Sequence, residues 1–181
     1  MSELDVRPAV ATPRLVLRAP APGDALMLAD FAADIGVAGA TDKLPHPFGL
    51  AEAEACLAKA SGGDKRIGFV VEHRQFGPIG MLGFREREPP QSNFRRPELR
   101  MWLGRPFWNR GYGAEAVAGA LGWAEHDWGR KVVWAGHFAD NPAAGQMLCK
   151  AGFLYTGDVE VRPSLARDGA GVRTRMMVWL A

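Results

Sequence analysis

A glycine-rich turn directly before an alanine-rich helix is the feature that most constrains what this chain can fold into. Residues Trp108–Ala116 read Trp-Asn-Arg-Gly-Tyr-Gly-Ala-Glu-Ala and follow an apolar segment typical of a strand. Glycine lets the backbone turn tightly and approach a ligand closely. The helix that follows points its unpaired N–H groups and the positive end of its dipole at the same place. The segment therefore predicts an anion-binding turn, although a simple strand-to-helix connector has the same pattern.

A second helix downstream has clear start and stop residues. Asn141 followed by Pro142 suits an N-cap and a first helical turn, and Gly152 is well placed as the C-terminal cap. Before it, residues 131–139 are apolar on both alternating faces, which predicts a strand covered on both sides. The pattern therefore predicts a strand, a tight turn and a capped helix in succession.

The rest of the chain alternates short helices and strands. Apolar runs at 67–72 and 79–84, separated by a turn with glycine and proline, predict an antiparallel hairpin. Segment 35–48 predicts a loop or a short turn of helix, and segment 85–96 predicts a loop. The remaining predicted elements are strands at 14–18, 98–103, 154–161 and 173–180, and helices at 24–33 (capped by Asp24), 51–60 and 113–128.

Four segments, in this order, resemble the GNAT superfamily of acetyl-CoA-dependent N-acetyltransferases: Thr12–Arg18, Glu98–Leu103, Trp108–Ala116 and Asn141–Phe153. They are most similar to the branch that contains the N-terminal acetyltransferases of ribosomal proteins. The resemblance runs from about Thr12 to the last predicted strand. It implies an α/β (α+β) fold as one domain over residues 1–181. That fold has a mixed, largely antiparallel central sheet, splayed middle strands and helices on both faces.

The resemblance also implies an activity and a co-substrate. The expected reaction is acetyl transfer from acetyl-CoA to a primary amine, either a protein or peptide N-terminus or a small molecule, by direct attack in a ternary complex. The glycine turn would bind the CoA pyrophosphate and the splayed strands would admit the pantetheine arm. No metal is expected. The implied cofactor-binding residues are Trp102, Leu103, Arg110, Gly111, Tyr112, Gly113, Ala114, Glu115 and Asn141.

Glu98 is the candidate catalytic residue. On a strand it shares a face with Arg100 and Trp102, and the family's matching glutamate has an acid-base or amine-orienting role. The alternative is a surface glutamate paired with Arg100 or Arg96. The branch has glycine where Arg100 stands, and a cation there would lower the pKa of Glu98 and weaken it as a base. Glu98 is therefore predicted either to accept a proton or to position the amine.

The leaving thiolate has no obvious proton donor. Related enzymes place a serine three residues after the capping asparagine, or a tyrosine four residues before the glycine of Gly-Phe, near the CoA sulfur. Here these positions are Ala144 and Leu148, and neither side chain can donate. Cys149 donates only weakly, and such a cysteine is expected to be buried. His137 is expected to be a satisfied core histidine. No general acid is assigned.

Composition excludes several other classes. The formal net charge is +2 with no clustered basic run, so no nucleic-acid partner is expected. Two cysteines in no metal-binding spacing argue against a disulfide framework and favour a reducing cytoplasm. The sequence has no signal peptide pattern and no run of apolar residues long enough to cross a membrane. We expect a cytoplasmic monomer or homodimer.

Two alternative functions remain open at this stage. Gly111, Gly113 and Ala116 also fit a dinucleotide-binding fingerprint, but residues 104–110 separate them from the strand and no second βαβ unit follows. The missing donors at Ala144 and Leu148 favour a second alternative, a non-catalytic acyl-CoA-binding or sensing module. Turnover of acetyl-CoA with any amine would distinguish this module from an enzyme.

Overall fold

The computed structural model of the chain describes residues 9–60, 66–88 and 95–181. Within these residues, eight strands form one sheet. The strands are β1 (Val10–Ala11), β2 (Leu15–Arg18), β3 (Arg66–His73), β4 (Gly77–Arg87), β5 (Arg96–Leu103), β6 (Val132–Phe138), β7 (Leu154–Ser164) and β8 (Ala170–Leu180). The helices are α1 (Ala25–Ala32), α2 (Ile35–Ala38), α3 (Leu50–Ala60), α4 (Tyr112–His126) and α5 (Pro142–Lys150).

The sheet is mixed and mostly antiparallel, as predicted. Its strand order is β1-β2-β3-β4-β5-β6-β8-β7. Every neighbouring pair is antiparallel except β5 and β6, which are parallel. The connection from β5 to β6 contains α4, as a parallel pair requires a crossover. The glycine turn therefore lies immediately after the strand that borders the parallel pair.

Helices cover both faces of the sheet, which confirms the predicted layering. On one face α4 buries Val117 and Leu121 in a core that also contains Leu148 of α5. On the other face α1, α2 and α3 form a second core over Val70, to which Leu28 of α1 belongs. Each fully buried aliphatic side chain stabilises the fold by about 1.5–3 kcal/mol relative to exposure. The central strands therefore lie between two helical layers.

The secondary structure differs from the sequence prediction in three places. Strand β1 was not predicted, because two residues are too short to show a periodicity. Asp24 precedes α1, but its carboxylate accepts from the Ala21 N–H at 2.8 Å and from Arg18 instead of capping that helix. The predicted loop at 85–96 is shorter, since β4 runs to Arg87 and β5 begins at Arg96, and residues 89–94 lie outside the described ranges.

Candidate active site

The central strands β5 and β6 separate after a single pair of residues. Glu98 and Trp134 are the only residues paired between them in the described part of the chain. Strand β5 nevertheless continues to Leu103 and β6 to Phe138. Backbone N–H and C=O groups that lose a strand partner need another one. The opening confirms the predicted splay and suits an extended ligand with amide groups.

The turn before α4 presents free backbone donors. Asn109 and Gly111 both have positive φ angles, 58° and 79°. Gly111 is the N-cap of α4, and its carbonyl accepts from the Glu115 N–H at 3.1 Å. The N–H groups of residues 112–114 have no acceptor among the described residues. Three aligned donors at the positive end of a helix form an anion-binding site.

Glu115 fastens this turn to the first strands of the sheet. Its carboxylate accepts from the Thr12 hydroxyl at 2.7 Å, the Arg14 N–H at 2.8 Å and the Arg14 Nε at 2.6 Å. Burial alone would raise the pKa of Glu115, but these hydrogen bonds and the Arg14 charge outweigh it and lower the pKa. Arg14 also donates to the Arg110 carbonyl at 3.0 Å. The Glu115 side chain thus supports the turn, and its cofactor contact stays a prediction.

Tyr112 and Gly113 contribute backbone to the turn and packing to the core. The Tyr112 ring is 7% exposed, with the Arg14 guanidinium 4.4 Å from its centroid and His73 in edge contact. A Cβ at Gly113 would lie 3.0 Å from the Met147 Cγ of α5. Glycine at this position therefore lets α4 and α5 approach closely. Within the described residues, both have main-chain N–H groups that are free to bind a ligand.

Trp108 connects the glycine turn to the end of β5 by a hydrogen bond. Its indole Nε1 donates to the Leu103 carbonyl at 2.8 Å. The Leu103 side chain is buried in the core under α4, whereas Trp102 packs against the core under α1–α3. The two predicted cofactor contacts on β5 therefore point to opposite faces beside the opening. Their roles stay predictions.

Helix α5 begins as predicted. The Asn141 side chain accepts from the Ala144 N–H at 3.3 Å and so caps the helix. Leu148 is 3% exposed, and neither Ala144 nor Leu148 can donate a hydrogen bond from its side chain. Cys149 is exposed, not buried as expected, because it lies on the helix surface turned away from the core. Any cofactor contact of Asn141 stays a prediction.

His137 is a satisfied buried histidine, as expected, and its partner was missed. Its Nδ1 donates to the Phe138 carbonyl at 2.8 Å, so in the neutral ring Nε2 accepts from the Tyr155 hydroxyl at 2.9 Å. A Cβ at Gly145 would lie 2.4 Å from that hydroxyl oxygen. The Tyr155 hydroxyl therefore donates its hydrogen bond to His137. No sequence pattern indicated this pair, which joins β6 to β7.

Glu98 is held in a buried ion pair. It is 1% exposed, and Arg162 donates to its two oxygens at 2.7 and 3.0 Å. Arg87 and Arg100 lie 3.4 and 3.5 Å from its oxygens. Burial alone would raise the pKa of Glu98, but the Arg162 hydrogen bonds and the three arginine charges outweigh it and hold the pKa at about 2. The alternative placed Glu98 on the surface, which is wrong, although the Arg100 partner that it named lies 3.5 Å away. The lowered pKa disfavours proton abstraction.

Arg162 was missed by the sequence analysis. It lies on β7, two strands after β5 in chain order, and only the three-dimensional fold brings it to Glu98. The alternation of Glu160 and Arg162 along that strand was the available pattern, because it places both charges on one face. Glu160 accepts from Arg87 at 2.6 Å and from Arg162 at 2.9 Å.

The sequence profile of the acetyltransferase (GNAT) domain matches residues 14–154. The chain therefore belongs to the GNAT acetyltransferase family and is an acetyl-CoA-dependent acyltransferase. No curated protein sequence matches the chain. Within the described residues, no group of side chains could hold a metal ion, and no helix has the length and apolarity needed to cross a membrane.

Solved structures share the fold at low sequence identity. A GNAT-family acetyltransferase from Bacillus anthracis is 16% identical with a TM-score of 0.78, covering 96% of this chain and 98% of its own. The ribosomal-protein-S5-alanine acetyltransferase of Vibrio fischeri is 15% identical with a TM-score of 0.76, covering 96% and 97%. The spermidine N-acetyltransferase of Vibrio cholerae, solved with CoA and spermine, is 20% identical with a TM-score of 0.73, covering 92% and 95%.

Proposed function

We propose that the protein transfers the acetyl group of acetyl-CoA to the α-amine of an acceptor by direct attack within a ternary complex. The free N–H groups of residues 112–114 carry the first half of this proposal, because they can bind the CoA pyrophosphate. The opening beyond Glu98 and Trp134 carries the second, because unpaired strand edges can bind the amides of the pantetheine arm. Residues 1–181 would form one such domain.

The reacting amine must be neutral when it attacks. An α-amine has a reference pKa of about 8 and a lysine ε-amine one of about 10.4, so deprotonation at pH 7 costs about 1 kcal/mol for the first and about 4–5 for the second. Glu98, with a pKa of about 2, has too little proton affinity to remove that proton. We assign Glu98 to positioning and to the electrostatics of the acceptor side. The neutral fraction of the amine is then the reactive species.

Acetyl transfer can proceed without a proton-donating side chain. The amine nitrogen bonds to the thioester carbonyl carbon, the carbon–sulfur bond breaks, and the nitrogen loses a proton to water. The thiolate, with a reference pKa of about 8.5, leaves without prior protonation and takes a proton from water. Neither Ala144 nor Leu148 can supply that proton, and the Tyr155 hydroxyl is already donated to His137. The rate therefore depends more on how easily the acceptor amine loses its proton than it would in an enzyme that has a general acid.

A pair of matched peptides tests the proposal. One has a free N-terminal α-amine and no lysine, and the other has a blocked N-terminus and one lysine in the same surroundings. We expect kcat/KM at pH 7 to favour the first by more than about 100-fold, with the acetyl position located by mass spectrometry. Preference for the lysine would refute the α-amine proposal. Tight acetyl-CoA binding without transfer to any amine would instead identify a non-catalytic acyl-CoA-binding module.

A further inference from the structure

The sheet face beneath α1–α3 carries more arginine than carboxylate. Its charged side chains project from β3, β4, β5 and β7, with Asp42 added from the segment between α2 and α3, and they meet on one surface, as the strand registers and ion pairs show. We call this surface the arginine face. Its members are the guanidinium groups of Arg66, Arg85, Arg87, Arg96, Arg100 and Arg162 and the carboxylates of Asp42, Glu98 and Glu160.

The three carboxylates of the arginine face are already in use. Glu98 is held by Arg162, and Asp42 is bound by both terminal nitrogens of Arg100, one of them at 2.6 Å. Glu160 accepts from Arg87, Arg96 and Arg162. No carboxylate of this face is left over. The remaining positive charge belongs to the other two arginines.

Arg66 and Arg85 lie opposite each other on β3 and β4, and neither forms an ion pair with a described residue. The Nε of Arg85 is buried and has no hydrogen-bond partner among those residues. Burial and the nearby charges of Arg100 and Arg66 lower the pKa of the Arg85 guanidinium, and the charges of Glu98 and Asp42 offset this lowering only in part. Like charges opposite each other destabilise a strand pair, and a half-buried charge is costly when the nearby carboxylates are already paired with other cations. This pair would gain from an anion.

We propose that the acceptor molecule carries a carboxylate or a phosphate in addition to its amine, and that Arg66 and Arg85 bind that anion. The inference rests on the proposed acetyl transfer and names the chemical class of the acceptor. Guanidinium groups bind carboxylate and phosphate through charge-assisted hydrogen bonds, often two at a time. An acceptor with a second positive charge is disfavoured by the same surface.

The position of the pair suits an amine at the strand opening. Arg85 lies opposite Glu98 on β5, and Glu98 lies opposite Trp134, the last pair before the strands separate. Neighbouring strands are about 4.8 Å apart. The axis of β4 is therefore roughly 10 Å from that of β6. The long Arg85 side chain can span part of this distance, so that an acidic side chain next to a peptide N-terminus or a short phosphorylated amine can span the remainder.

Matched acceptors measure the preference directly. Three tetrapeptide amides begin with alanine and differ only at the second position, which is aspartate, asparagine or lysine; phosphoethanolamine and ethanolamine form a small-molecule pair. We expect kcat/KM to be about tenfold higher for the aspartate peptide than for the asparagine peptide, and lowest for the lysine peptide. The comparison of phosphoethanolamine with ethanolamine and with the aspartate peptide tells whether the enzyme prefers a small phosphorylated amine to an acidic peptide as its acceptor.

Variants locate the anion site. Arg85→Gln and Arg66→Gln should bring the aspartate-to-asparagine ratio close to one, mainly through a higher KM for the aspartate peptide, and Arg85→Lys should restore part of the ratio. Arg130→Gln is the control, because Arg130 pairs with Glu86 at 2.7 Å on an exposed part of the molecule and should leave the ratio unchanged. Thermal unfolding of each variant checks that the fold persists.

Three results would overturn the inference. These are equal rates for the aspartate and asparagine peptides, a preference for the lysine peptide, and a full aspartate preference that persists in a folded Arg66→Gln/Arg85→Gln double variant. If acetyl transfer occurs without regard to acceptor charge, only this inference fails. If no amine in the panel is acetylated, the proposed function fails and this inference falls with it.

Discussion

The start of α4 and the arginine face are both proposed to bind an anion, and they would do so by different physical means. At α4 the donors are backbone N–H groups of residues 112–114, which are fixed by the helix itself. On the arginine face the charges are side chains from four strands, and Arg162 reaches Glu98 across 64 residues of sequence. A backbone site depends on local geometry, whereas a side-chain site depends on the whole fold. The first is therefore visible in a short motif and the second is not.

The two regions also differ in what they cost the folded state. Backbone groups at a helix start lack a helical partner in any helix, so a site made from them buries no charge in the folded protein. Guanidinium and carboxylate groups lose hydration when they are buried, and ion pairs regain only part of it. Glu98 and Arg162 are 1% and 6% exposed, so they carry this cost in full. Perturbing the arginine face should damage stability, and perturbing the turn should damage cofactor binding.

The largest expected effect is the replacement of Glu98. Glu98→Gln removes the charge that faces Arg162 and leaves a buried guanidinium with a weaker partner, so we expect a loss of about 3 kcal/mol in the free energy of unfolding. Urea unfolding measures it. The control is Glu160→Gln, since Glu160 lies partly exposed in the same network and should cost less.

The pH profile of the same variant separates positioning from proton transfer. Because the pKa of Glu98 is about 2, the residue is ionised throughout the neutral range. The turnover defect of folded Glu98→Gln should therefore be constant between about pH 6 and 9. A defect that shrinks as the pH rises would show instead that Glu98 acts as a base in the complex.

Acid unfolding tests the ion pair without removing it. The folded-state pKa of Glu98, about 2, lies below its ordinary value of 4.5, so its contribution to stability is present above about pH 5 and is lost as the pH falls toward 2. The wild-type advantage over Glu98→Gln should shrink by an amount on the order of 3 kcal/mol across that window. Urea unfolding at pH 6, 4 and 2.5 gives the difference. An advantage that does not change with pH would contradict the pairing.

At the glycine turn the expected effect is on affinity. Gly111→Asp and Gly111→Asn add side chains of the same size that tolerate a positive φ, and only the first adds a negative charge. We expect calorimetry to show acetyl-CoA binding about tenfold weaker in the aspartate variant than in the asparagine variant, with both folded. Equal affinities would exclude this turn as the pyrophosphate site. Gly113→Asp is a poorer test, because its Cβ would press on Met147.

The sequence predicted the glycine turn and the Asn141 cap well because those features are local. The predicted Asp24 cap of α1 was wrong, because Arg18 and the Ala21 N–H bind that carboxylate instead. Gly111 and Asn141 are recognisable from neighbouring residues alone, and both lie where predicted. The environment of Glu98 was not predictable in the same way, since its partner Arg162 and its burial arise from packing between distant strands. The same holds for His137, whose hydroxyl partner Tyr155 comes from another strand. Strand alternation gave the face of each side chain but not its partner.

The smallest expected effect is at the start of α5. Ala144→Ser restores a hydroxyl at the position where the family has a donor, and the substitution costs only about 0.5 kcal/mol in helix propensity. If no side chain protonates the leaving thiolate, turnover should rise or stay the same, measured as release of free CoA. Cys149→Ala is the matched control on the exposed side of the helix, and it should leave turnover unchanged. Loss of turnover in Cys149→Ala with unaltered acetyl-CoA binding would instead make Cys149 the proton donor, and would reverse the conclusion that no side chain protonates the leaving thiolate.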